Sequence, residues 1–87
     1  MSYVGGGSVP RETVIQVLRT VLPGLGVSVS VSKKKFVLLV HNDIPEVHPL
    51  PANVPEKQLE YFERKFGIKI EFFFNPEMCV KGPTTKN

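Results

Sequence analysis

The sequence predicts an α+β domain: two helices packed on one face of a three- to four-stranded mixed sheet, in the order α-β-β-(β)-α-β. Three observations carry this. Apolar residues recur at helical spacing in "ETVIQVLRTVL" and "EKQLEYFERKF". The stretches "VSVSVS" and "IKIEFFF" alternate with the period of a strand. "FVLLV" is apolar at five successive positions, as a central strand covered on both faces would be.

The chain has 87 residues, 41% hydrophobic and 22% charged. That length closes around one hydrophobic core, and the composition is that of an ordinary globular domain. The domain is expected over residues 9–75. A flexible arm at 1–8, loosened by Gly5, Gly6 and Gly7, precedes it, and a tail rich in polar residues, proline and glycine follows at 76–87. No apolar run approaches the roughly 18 to 20 residues that span a bilayer. The first ten residues hold neither a basic region nor an apolar stretch, so a cytoplasmic location is expected.

The first helix is read from about Pro10 to Leu22, with Val14, Val17, Leu18, Val21 and Leu22 forming its stripe. Pro10 suits a first helical position, and "PGLG" stops the helix. In "VSVSVS", Val27, Val29 and Val31 face one way and Ser28, Ser30 and Ser32 the other. The second strand is read over Lys35 to His41. With Lys33 and Lys34 as a two-residue turn, Val31 lies opposite Phe36, Val29 opposite Leu38 and Val27 opposite Val40. Val37 and Leu39 then emerge among the serines on the reverse face and call for cover by a tail, another chain or a partner. Lysine is a poor residue for a left-handed turn, so a longer turn is open, and a one-residue shift exchanges the faces.

Prolines at 45, 49, 51 and 55 keep the next segment extended, with at most a short edge strand around Val47. The second helix shares a face among Leu59, Phe62 and Phe66 and stops at Gly67. The last strand carries Ile68, Ile70, Phe72 and Phe74 inward. A right-handed crossover makes it parallel to the second strand.

Candidate chemistry is sparse. Lys33, Lys34 and Lys35 are the densest positive charge, suited to successive phosphates. A solvated turn, or lysines that deter edge pairing, explains them as well, and no aromatic residue interleaves with them to add base stacking. The net charge of +3 permits an acidic partner without demanding one. His41 and His48 are the only histidines. Brought together, they would suffice as general acid and base for cleaving RNA by its own 2'-hydroxyl; apart, they are surface residues. As metal ligands they have only Asp43 and Glu46 nearby, a poor set, and no metal or cofactor is expected. Glu56, Glu60 and Glu63 sit at helical spacings beside Lys57 and Arg64 and read as helix salt-bridging. The lone Cys79 excludes an internal disulfide and multi-cysteine zinc sites, and a nucleophilic role lacks a histidine nearby in sequence. The glycine arm lacks the lysine and hydroxyl pattern of a phosphate loop.

The segment "VHPLPANVPEKQLEYFERKFGI", residues 47–68, resembles the second half of the HicA-type (YcfA-like) toxins. His48-Pro49 matches a His-Pro that ends a strand in that family, Val54-Pro55 an aliphatic-Pro pair that opens the last helix, Leu59 a leucine four residues on, and Gly67-Ile68 the helix end. "ETVIQVLRTVL" is similar to the family's opening helix. The resemblance implies a fold like the double-stranded-RNA-binding domain, mRNA as substrate and an antitoxin as partner. The family's Gly-Ser-His-His segment, which holds its catalytic histidine, is here "VSKKKF", with Lys33 and Lys34 where the histidines stand. Lysine, with a pKa near 10.4, can steady a phosphate but is a poor proton shuttle at neutral pH.

The expected function is therefore a small RNA-directed module resembling HicA-type mRNA interferases, with or without catalysis. Lys33 to Lys35 would meet phosphates, and His41 or His48 would be residual acid/base groups. The alternative is a non-enzymatic protein-interaction module that pairs through the sheet face or edge, with itself or another protein, using Val37, Leu39 and Phe73.

Overall fold

The computed structural model describes residues 7–78. The chain enters as a three-residue strand, β1 (Ser8–Pro10), and leads into α1 (Arg11–Val21), which turns Val14, Val17 and Leu18 into the core. Leu22–Leu25 tightens into a 3-10 turn around Pro23. Gly26, at φ 82°, ends that turn in the left-handed conformation glycine adopts without steric cost. Then follow β2 (Val27–Ser32), β3 (Phe36–His41), β4 (Ile44–Pro49), β5 (Asn53–Pro55), α2 (Glu56–Phe66) and a single-turn α3 (Glu71–Phe74). Strands β2, β3 and β4 form an antiparallel sheet with β3 in the middle, and β1 pairs antiparallel with β5, setting Val9 against Val54. The α+β class holds, with α1 and α2 covering one face of the three-stranded sheet. Most of the expected arm and tail, including Cys79, lies outside the described residues.

The β2–β3 connection is one residue longer than a two-residue turn. Ser32 pairs with Phe36, so Lys33, Lys34 and Lys35 all lie in the turn, closed by the Lys35 N–H donating to the Ser32 carbonyl at 3.0 Å. Opposite pairs become Val31–Val37 and Val29–Leu39. Because side chains alternate, this shift moves every β3 residue to the other face. Val37 and Leu39 are buried at 0% and 1% exposure. Phe73 is buried as well, at 1%. The three residues expected to form an interaction surface are thus core. The reverse face carries Ser28, Ser30 and Ser32 on β2, Phe36, Leu38 and Val40 on β3, and Pro45, Val47 and Pro49 on β4.

A second turn fixes β4. Asn42 and Asp43, at φ 56° and 66°, form a two-residue hairpin turn between His41 and Ile44. Both residue types tolerate the left-handed region, so this turn is suited to its place. The extended segment therefore forms a six-residue strand, longer than the short edge strand its prolines suggest. The pair closing such a turn exchanges both backbone bonds, and bonding then alternates along the ladder. Val40–Pro45 and Phe36–Pro49 consequently fall where β4 points its nitrogens away from β3. Proline costs nothing toward β3 there and leaves the outer edge short of donors.

At the end of the chain no last strand joins the sheet, and both sides of β3, beside which it was expected, are taken by β2 and β4. After Gly67, at φ 79°, Ile68 and Ile70 are buried, but Phe72 N–H donates to Lys69 and Phe73 N–H to Ile70, curling the segment into α3. Phe73, not Phe72 or Phe74, enters the core, with its ring centroid 6.2 Å from that of Phe62. A short apolar run satisfies a strand or a helical turn equally well, and β4 leaves no edge for a neighbour on its side.

Lys33 and Lys34 adopt φ 54° and 60°, a conformation that costs an L-residue with a Cβ about 1–2 kcal/mol. The double substitution Lys33→Asn with Lys34→Gly is expected to raise stability by about 1 kcal/mol, or about 4–8 °C in a thermal unfolding scan. A lower midpoint in that scan would show that the lysines make contacts outweighing their strain.

Candidate functional site

The lysine turn does not stand alone. The α1 residues Arg11, Ile15 and Arg19 are spaced four apart and share a flank of the helix. Helix and strand run in opposite directions across the 3-10 turn, so that flank borders the far end of β2. Arg11, Glu12, Ile15, Arg19, Val31, Lys33 and Lys34 line a groove of about 390 Å³. Ile15 and Val31 in its lining are half-buried, and the lining carries four cations and a single carboxylate, Glu12. The Arg11 Nη1 donates to the Leu50 carbonyl at 3.1 Å, which fixes that guanidinium at the groove's margin. Among the described residues Arg19, Lys33 and Lys34 form no ion pair; the ion pairs present converge on Glu46.

Charge follows the same division along the chain. Residues 1–41 hold five basic residues and one acidic, a net of +4, while 42–87 hold six and seven, a net of −1. The positive field therefore belongs to the half of the chain that builds α1 and the first hairpin. Lys35 is exposed beside the groove, and the Leu50 N–H donates to its carbonyl at 2.7 Å.

The histidines occupy different places. His41 pairs with Ile44 and His48 with Val37, four residues apart along the β3–β4 ladder. At roughly 3.4 Å per residue this separates them by about 14 Å, too far for one to take a proton while the other gives one at a single phosphate. His41 meets Phe66 edge-on at 6.0 Å. His48 packs against Tyr61 and Phe62, each 5.2 Å away between ring centroids.

Glu46 and His48 alternate onto the helix-covered face of β4, where α2 presents Tyr61 and Lys65 one turn apart. The His48 Nε2–H donates to Glu46 Oε1 at 3.0 Å, the Tyr61 hydroxyl donates to the same oxygen at 2.9 Å, and Lys65 donates to Oε2. The Lys65 hydrogen bond, then those of His48 and Tyr61, hold the Glu46 carboxyl down to about 2 against an ordinary 4.5. The same Lys65–Glu46 bond raises the lysine. The arrangement ties the edge strand to α2. It leaves Glu46 saturated with donors, and among the described residues no three metal-ligating side chains converge.

Structure thus adds Arg11 and Arg19 to the lysine turn, separates the two histidines, and joins Glu46 to His48, Tyr61 and Lys65. The helical spacing of Arg11 and Arg19, like the same-face spacing of Glu46 and His48, is visible in the sequence. What each faces is not. No protein-family model, no curated protein and no solved structure matches this chain.

Glu46 carries a pH signature. Its folded pKa lies below the ordinary value, so the stability it contributes is fully present above about 4.5 and is lost as pH falls through about 2. The side chain is 22% exposed, so solvent screening keeps the loss to about 1 kcal/mol. Urea unfolding between those limits is expected to show a decline that Glu46→Gln flattens. An equal slope in both proteins would remove the carboxylate from the account.

Proposed function

We propose that this chain is a small RNA-binding module of the HicA-like, double-stranded-RNA-binding-domain-like type. It holds RNA phosphates in the groove between α1 and the β2–β3 turn. One observation carries the reading: Arg11, Arg19, Lys33 and Lys34 converge on one groove with a single carboxylate among them. Cations gathered in this way, three of which (Arg19, Lys33 and Lys34) form no ion pair among the described residues, suit a run of phosphates, each of which releases condensed counterions when neutralised.

Two further features support it. Lys33 and Lys34 sit in a backbone conformation better suited to asparagine or glycine, and strain of this kind is retained where the side chains serve a purpose. The residues that carry the resemblance fall at element boundaries. His48-Pro49 ends β4, Val54-Pro55 leads into α2, and Gly67 caps it. In α2 the three glutamates are balanced by Lys57, Arg64 and Lys65, so the excess positive charge that suits an anionic chain lies with α1 and the first hairpin. The proposed role is binding without a cleavage step. Lysines replace the family's histidines, His41 lies far from the lysine turn, and His48 spends its Nε2–H on Glu46. RNA as partner agrees with a cytoplasmic location.

Four phosphate contacts with a single strand give a slope of about −3 in log affinity against log salt, roughly a fiftyfold loss between about 50 and 200 mM. Lys33→Gln with Lys34→Gln is expected to weaken binding and make that slope shallower by about 1.4. Fluorescence anisotropy across a salt series reads both quantities. Binding with the same affinity and slope in the double variant excludes the groove, and RNA decay that His48→Ala abolishes would restore a catalytic reading.

A further inference from the structure

The open face of the sheet, opposite the helices, has an unusual corner. Phe36 lies between Ser32 on β2 and Pro49 on β4, directly after Lys35, and the residue is 39% exposed. Val47, two residues before Pro49 on the same face, is 62% exposed. All nine positions of this face are uncharged. The nearest charges at the Phe36 end are the three turn lysines, while Asp43 lies at the other end of the hairpin pair.

Resting on the RNA reading above, we infer that this corner is a stacking platform for an unpaired base, so that the module takes single-stranded RNA. The phosphates are held at the lysine turn, and the strand passes over the hairpin tip so that a following base lies on the Phe36 ring. An aromatic ring accepts any base through its π-face, and it does so only when that base is free of a helix. Ser30 and Ser32, exposed beside the ring, supply hydroxyls for ribose or phosphate oxygens. Two features favour a nucleic acid over an apolar protein surface: the aromatic stands at the lysine end of the face, and no carboxylate there opposes an anionic chain.

The experiment compares a short oligouridine with an RNA duplex of equal length, using the full chain and its Phe36→Ala, Phe36→Leu and Phe36→Tyr variants, with the double lysine variant in parallel. Phe36→Ala and Phe36→Leu are expected to bind the single strand roughly five- to one-hundredfold more weakly, with Phe36→Tyr within about twofold of the parent. Duplex affinity and the salt slope stay unchanged in all three. Leucine keeps the corner apolar without the ring, so folding and stacking are read separately, and thermal unfolding confirms that each variant is folded. If Phe36→Ala leaves single-strand affinity intact while the lysine variant lowers it, the platform is wrong and the groove stands. A Phe36 variant that alters sedimentation but not RNA affinity makes this face a protein interface and overturns the inference. Wild-type chain that shows no salt-dependent RNA binding removes the groove, and the platform with it.

Discussion

The position of β3 within its hairpin, settled to a single residue, decides what this molecule is inside and out. Every residue from Phe36 to His41 changes face if the turn shortens from three residues to two. In the observed register Val37 and Leu39 pack with Val27 beneath the helices, at a gain of about 1.5–3 kcal/mol for each fully buried side chain. The opposite register would also offer apolar residues to the core, so hydrophobicity by itself does not choose. The polar neighbours do. With Val37 and Leu39 inward, the tight Asn42–Asp43 turn brings Glu46 and His48 to the same face. There Tyr61 and Lys65 find an acceptor. In the other register Pro45, Val47 and Pro49 would face α2, and those donors would lose their carboxylate.

From that register the two sides of the sheet acquire different characters. The helix side is closed: α1 delivers Val14, Val17 and Leu18, α2 delivers Leu59 and Phe62, and α3 delivers Phe73. The Glu46 network stitches its margin. The reverse side stays open, a row of serines beside a stripe of apolar residues with no charge among them. Even its edge is managed, because two of the three β4 residues whose backbone points outward are prolines.

The sites follow from the same geometry. The lysine turn lies at the end of the hairpin where both sides meet, so it borders the α1 groove on one side and the Phe36 corner on the other. A strained, basic tip flanked by a cationic groove and an exposed aromatic is the surface on which the proposed RNA reading rests. The second helix, whose three glutamates are balanced by Lys57, Arg64 and Lys65, has a structural task in holding β4.

Whatever is local in this protein was legible along the chain. Apolar residues three and four apart located α1 and α2 to within a residue or two, alternation located β2, glycines at 26 and 67 marked the stops, and one dense cluster of charge marked the hairpin tip. These features are written in near neighbours, and their physics is complete within that span. The remainder waited on packing, because it depends on partners distant in the chain. The face of β3 depended on turn length and on donors from α2. The fate of "IKIEFFF" depended on β3, whose two sides are taken by β2 and β4, since its apolar run suited a strand and a helical turn alike. The groove required Arg11 and Arg19 to meet Lys33 and Lys34 across an antiparallel helix and strand, and the separation of His41 from His48 required the β3–β4 register. Local pattern states what each segment is able to bury; only the packed whole settles which of those options can be satisfied together.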